Sequence, residues 1–242
     1  MKLVITGGSG FVATEVIIQS LCNPSITSVI ALARRPLSLP TSLPPTADVN
    51  KWKSLVVSDY STYPEDVKRE LSDADACIWT VAITPAKSAS YDSKTVRKIC
   101  LDDTMAGLNA IIEARSSSSA SEGKPFRFIY MSGSAAERDQ TKTPSFYPEY
   151  SLMRGETENL VLSFARDHSF DACVIKPGPI TAPWSIGRHL LGFLVRWTMG
   201  LHPVSVQEVS ATMLHQVVNG FDKEPLEIDD IIRIGRRELQ DK

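Results

Sequence analysis

Six short runs of this chain are dominated by apolar and β-branched residues: residues 2–6 (KLVIT), 28–33 (SVIALA), 53–58 (KSLVVS), 76–82 (ACIWTVA), 126–132 (FRFIYMS) and 171–176 (DACVIK). No other feature restricts the fold as much. A strand with one wetted face alternates polar and apolar residues. Near-continuous apolar strands are buried on both faces, which a parallel sheet covered by helices provides. The intervening segments carry helical periodicity over residues 10–22, 65–71, 91–115 and 149–168. One exception is the Pro-, Ser- and Thr-rich stretch 34–50 (RRPLSLPTSLPPTADVN), which predicts a loop between the second and third strands. Residues 116–124 (SSSSASEGK) form a second polar loop. Beyond the sixth strand, helices are expected over 186–198 and 206–220, and a last short strand over 231–234.

The alternation predicts an α/β fold with a doubly wound parallel sheet, the Rossmann fold. Its 242 residues, 43% hydrophobic, suit one domain with a sizeable core. Residues 1–178 read as a cofactor-binding core and 179–242 as a small helical substrate-side region. A net charge of −2 gives no footprint for nucleic acid or an anionic membrane. No run is long enough to span a bilayer; the closest, 189–201, is broken by Arg196 and reads as a core or pocket-covering helix. The N-terminus enters a strand directly, without the pattern of a secretory leader, so a cytoplasmic location is expected. Cys22, Cys77, Cys100 and Cys173 have neither metal-ligand nor redox-pair spacing and read as small buried hydrophobes; no metal site is expected.

Between the first strand and its helix lies Thr6-Gly7-Gly8-Ser9-Gly10-Phe11-Val12-Ala13. Two registers fit, with Gly8, Gly10 and Ala13 or with Gly7, Gly10 and Ala13. Either makes a tight turn, lets backbone approach a pyrophosphate and aims a helix N-terminus at it. At the end of the second strand, where a carboxylate would grip an adenosine ribose, stand Arg34 and Arg35. Two guanidiniums suit a 2′-phosphate, so NADP(H) is the expected cofactor. Asp59, after the third strand, suits either the adenine edge or the cap of a turn.

Together these residues resemble the short-chain dehydrogenase/reductase superfamily, in particular its atypical NAD(P)H-binding, epimerase-like and NmrA-like members. The resemblance runs from Met1 to about Gly178, and more weakly through residues 204–218. It implies that Thr6 through Val12, Arg34, Arg35, Asp59, Ala82 and Pro177 contact the cofactor. It also implies a catalytic Tyr-x-x-x-Lys helix and a hydroxyl at the end of the fifth strand. Here the helix motif is Tyr150-x-x-x-Arg154, and Gly155, Glu156 and Glu158 continue the family pattern. The i,i+4 spacing keeps both side chains on one helix face. Arginine retains the charge that favours phenolate and can grip ribose, but it cannot relay a proton. The hydroxyl falls to Ser132 or Ser134, because an ungapped alignment puts Gly133 at the family position. Tyr147, one turn earlier, substitutes as an acid, lines the pocket or packs at the helix entrance.

The resulting expectation is an NADPH-dependent oxidoreductase that reduces a carbonyl or an activated double bond of a small molecule. Two other readings stay open because the lysine and serine have changed: an NADP(H)-binding regulator without turnover, and a redox-neutral isomerase, cyclase or dehydratase. Substrate contacts are expected from 137–148 and 181–206, where Trp184, Phe193, Trp197 and Met199 suggest an apolar ligand. Family members often pair through the helices that here span 91–115 and 149–168, which implies a homodimer. His168, His189, His202 and His215 show no ligand spacing, and no nucleophile elbow is present.

Overall fold

The computed structural model describes residues 1–119, 123, 125–182 and 203–240. Six strands pair in parallel: β1 (Lys2–Thr6), β2 (Ser28–Ala33), β3 (Trp52–Val56), β4 (Ala76–Trp79), β5 (Arg127–Met131) and β6 (Asp171–Ile175). Their order, β3-β2-β1-β4-β5-β6, reverses direction between β1 and β4, the place where open α/β sheets bind ligands. Register follows from Lys2 opposite Ser28 and Leu3 opposite Ala76.

The apolar runs do what their composition requires. Leu3 and Ile5 point into one core, against α1 (Phe11–Cys22), while Val4 points into the other. The first core is closed by α7 (Val206–Asn219) and α8 (Ile228–Gln240). The second is closed by α2 (Glu65–Leu71), α5 (Asp103–Ser116) and α6 (Pro148–Asp167). Gly107 lets α5 lie directly on β4: a Cβ there would stand 2.3 Å from the Trp79 ring. Cys77, Cys100 and Cys173 are buried as expected, whereas Cys22 is half-buried. No helix among the described residues is long and apolar enough to cross a membrane.

Several elements depart from expectation. β4 stops at Trp79 because Thr80 turns aside and pairs with Thr6, donating from its hydroxyl to Thr6 O (2.6 Å) and from its amide to Thr6 Oγ1 (3.2 Å). The helix expected over 91–115 runs without interruption over 93–116, capped by Asp92, and comprises α4 (Ser93–Arg97), a π-turn at Lys98–Asp102, and α5. A short α3 (Pro85–Ser88) precedes them. The 34–50 stretch is a loop, ending in a 3-10 turn, and packs Leu37, Leu39, Leu43 and Ala47 on the first core.

The strand expected over 231–234 is a helix instead, part of α8. The four-residue window hid a longer helical frame in which Ile231, Ile234 and Gly235 face inward at three-to-four-residue spacing. Asp229 and Asp230 in the first turn and Arg237 in the last suit the helix dipole. A Cβ on Gly235 would lie 2.4 Å from Glu208 O, so α8 rests on the backbone of α7. A two-residue parallel pair, β7 (Ile180–Thr181) with β8 (Val204–Ser205), was not legible beforehand. The helix expected over 186–198, together with Trp184, Phe193, Trp197 and Met199, lies outside the described residues.

Candidate active site

Gly7 begins the β1–α1 turn in the left-handed region, at φ +68°, where a side chain is strained. A Cβ there would also sit 2.9 Å from Thr80 Oγ1, and one on Gly8 would sit 2.7 Å from Leu37 Cδ1. The turn's amides are fixed: Gly8 N donates to Leu32 O (3.0 Å) and Gly10 N to Gly7 O (2.7 Å). The first helical bond is Thr14 N to Gly10 O, so the amides of Phe11, Val12 and Ala13 lie before it. Gly10 supplies no side-chain cap and the first turn carries no acid. The positive end of α1 is thereby left uncompensated by its own side chains.

Sequence reasoning missed Tyr60. Its hydroxyl accepts from Gly7 N (3.2 Å) and donates to Leu32 O (3.0 Å), fastening the glycine turn to β2. Burial pushes its pKa up to about 12, so it acts as a neutral bridge. No local spacing links residue 60 to residue 7; only the sheet order brings them together.

Arg34 and Arg35 stand exposed just past the end of β2, without a hydrogen bond or ion pair among the described residues. Asp59 is engaged. It accepts from Ser61 N (3.0 Å) and pairs with Lys98 Nζ (3.0 Å). The Ser61 amide and then Lys98 hold its carboxyl down at about 2. The structure thus displays the turn-capping alternative for this residue.

Tyr150 and Arg154 share a face of α6 but reach different partners. Tyr150 Oη donates to Ile83 O at 2.8 Å, beside Ala82, Val96, Cys100 and Met153. Burial raises its pKa, while Arg154 works in the opposite direction. Arg154 is 3% exposed. It donates from Nη2 to Met131 O (2.6 Å), and its guanidinium lies 4.8 Å from the Tyr130 ring centroid. Its other terminal nitrogen, Nη1, is buried without a partner among the described residues.

The two candidate serines differ. Ser132 Oγ donates to Oε1 of the fully buried Glu158, whose Oε2 accepts from Arg138 Nε (2.6 Å) and lies 3.6 Å from Lys176 Nζ. Arg138 also pairs with Glu224. Ser132 therefore anchors strand to helix. Ser134 donates its amide to the carbonyl of buried Pro177 (3.0 Å), and its hydroxyl has no bond among the described residues. A Cβ on Gly133 would meet nothing within 4 Å. The roomy position is thus Gly133 and the available hydroxyl is Ser134.

Gly155, Glu156 and Glu158 acquire structural reasons. Gly155 lets the 133–147 loop lie on α6, for a Cβ there would stand 1.7 Å from Glu137 O. Glu156 holds Arg97 through two 2.7 Å bonds. His168 ends α6, its Nδ1 2.9 Å from Phe164 O.

Beside Tyr150 opens a cavity of about 560 Å³, bounded by α3, α4, the segment joining them and the first turn of α6. Its size falls within the range of small-molecule sites.

No protein-family profile matches the sequence, and no curated protein matches it. Solved structures do match in fold. Vestitone reductase from alfalfa superposes with a TM-score of 0.66 at 20% identity, over 94% of this chain and 76% of that one. The dTDP-glucose 4,6-dehydratase DesIV from Streptomyces venezuelae, solved with NAD bound, gives 0.65 at 16%, over 99% and 80%. What these matches share with the chain is the fold, a parallel sheet flanked by helices on both faces. UDP-glucose 4-epimerase from Thermotoga maritima, solved with UDP-glucose, gives 0.63 at 16%, over 100% and 84%.

Proposed function

We propose that this protein is an NADPH-dependent oxidoreductase that reduces a carbonyl or an activated double bond of a small, apolar organic molecule. The observation that carries the reading is that two features meet at the carboxyl ends of one parallel sheet. One is a glycine turn that side chains would fill, with two unpaired arginines beside it. The other is a phenol backed by a buried guanidinium.

These residues fit the cofactor. The glycine turn and the amides of Phe11 and Val12 would hold the pyrophosphate, and Arg34 and Arg35 the 2′-phosphate, with Arg154 on the ribose side. Bound there, NADPH supplies hydride. Tyr150 Oη gives its proton to the substrate oxygen, completing the two-electron reduction to an alcohol. Arg154 favours the phenolate left behind without taking a proton itself. Ser134 directs its free hydroxyl to the same oxygen, while Ser132 and Glu158 hold β5 on α6.

Titration with NADPH and NADH, repeated on Arg34→Ala, tests the cofactor assignment. Loss of one charge-assisted phosphate contact should weaken NADPH by about ten- to a hundredfold and leave NADH unchanged. Equal NADPH affinity in the variant would remove Arg34 from the site.

A further inference from the structure

The cavity beside Tyr150 has an unusual lining for a fold whose solved relatives include enzymes bound to nucleotide sugars. Two more phenols, Tyr91 and Tyr147, border it, 51% and 38% exposed. Neither hydroxyl is bonded among the described residues. Tyr147 sits at φ +42°, in the left-handed region that a bulky residue rarely adopts. Its carbonyl accepts from Ser151 N (2.8 Å), and Ser151 Oγ donates to Phe146 O (2.8 Å), which pins this corner. The Phe146 ring meets the Tyr147 ring edge-on, with centroids 4.5 Å apart. Backbone strain is therefore spent on holding one aromatic ring at the mouth of the cavity.

The charge pattern is equally selective. Arg97 is the one cation among the described lining residues, and Glu156 holds it with both carboxylate oxygens. Glu149 lines the same space. A pyrophosphate here would find no free cation and one repelling anion.

We propose that this cavity binds a neutral, planar aromatic compound, recognised by the faces of Tyr91 and Tyr147 and presented to Tyr150. The assignment rests on the oxidoreductase reading only for the role of Tyr150; the ligand class follows from the lining. Aromatic faces attract other rings beyond the area they bury, and unbonded phenol hydroxyls accept or donate to ring substituents.

The test is direct binding of 2-naphthol to the full chain, with 1-octanol as a non-planar apolar probe and UDP as a charged one. NADPH is titrated separately. Tyr91→Ala and Tyr147→Gly should each weaken naphthol by about tenfold, the scale of one aromatic contact. Both positions are exposed and glycine suits the left-handed backbone, so circular dichroism should show unchanged folding. Tyr91→Phe and Tyr147→Phe keep the ring and should retain most of the affinity. UDP should not displace naphthol. Unchanged naphthol affinity in both truncated variants, octanol binding as tight as naphthol, or displacement by UDP would overturn the proposal. Naphthol binding lost in the variants, in a protein that ignores NADPH, would uphold this site and remove the oxidoreductase reading. NADPH binding without naphthol binding would do the reverse.

Discussion

Gly155→Ala poses a contest between two effects of known size. In the middle of a helix, replacing glycine with alanine stabilises by about 1 kcal/mol through backbone entropy. At this position the added methyl would lie 1.7 Å from Glu137 O and 2.7 Å from Arg138 N, both backbone atoms that cannot rotate away. The loop must retreat by more than an ångström. That movement breaks Glu137 N to Ser151 O (3.0 Å) and pulls Arg138 from Glu158, an ion pair in which the carboxylate is fully buried. Overpacking costs about 1–3 kcal/mol. Losing one partner of a buried pair costs up to about 3–5 kcal/mol. The smaller part of that range applies because Arg138 is partly exposed and Glu158 keeps Ser132 and Lys176. The steric and electrostatic loss outweighs the helical gain and leaves a net destabilisation of about 3 kcal/mol, or roughly 6–12 °C in Tm for a chain of this size. Urea titration followed by far-UV circular dichroism measures it, with an unchanged m-value expected. A variant as stable as the parent, or more so, would refute the packing of loop on helix.

Tyr150→Phe keeps the ring and removes the proton donor, so reduction should slow by about 10²–10⁴-fold while NADPH affinity holds. Under the proposed mechanism the protonated phenol donates the proton, and burial raises its pKa, so the parent's reduction rate should show no alkaline fall below about pH 10. Gly133→Ser adds a hydroxyl into open space, so stability should change by less than about 0.5 kcal/mol, and kcat/KM should rise by about tenfold through one extra bond to the reacting oxygen. A slower variant would place the substrate elsewhere. Tyr60 keeps its proton in the native state up to about pH 12 but ionises near 10 when unfolded. Its contribution is present below pH 10 and lost as pH rises toward 12, about 2–3 kcal/mol in all. Denaturation midpoints at pH 8, 10 and 11 should fall, and less steeply in Tyr60→Phe; an equal slope in the two proteins would contradict the burial of that hydroxyl.

The sheet was legible because its information is local. Each strand announces double-sided burial in its own residues, and the glycine turn follows the first of them. α8 was misread because Ile231 and Ile234 reveal their common face only when the frame is extended to Gly235 and to the α7 backbone beneath it. The site divides in the same way. Tyr150 and Arg154 share a helix face and could be read together. Nothing near Ser132 in sequence discloses that Glu158 takes its hydroxyl, or that Ser134 is the one left free. Tyr60, Arg138 and Lys176 reach their partners through the order of strands, and a pattern of neighbours along the chain carries no trace of it. The family-like Gly155-Glu156-x-Glu158 run was visible as a pattern, while its purpose became apparent only as contacts with Glu137, Arg97 and Ser132.

The peptide of Ile83 accepts the Tyr150 hydroxyl at its carbonyl, and its amide lies 3.3 Å from Cys100 Sγ in the π-turn. Under the proposed reduction, an arriving substrate carbonyl asks the phenol to trade one neutral oxygen for another of similar basicity. That exchange is close to even in free energy, so the phenol adds little to the affinity of the resting complex. The balance tips only when hydride reaches the carbon and the substrate oxygen becomes an anion that the peptide oxygen cannot match. Ile83 thus serves as a reference acceptor: it keeps the acid aligned between turnovers and reserves its full strength for the moment when charge appears.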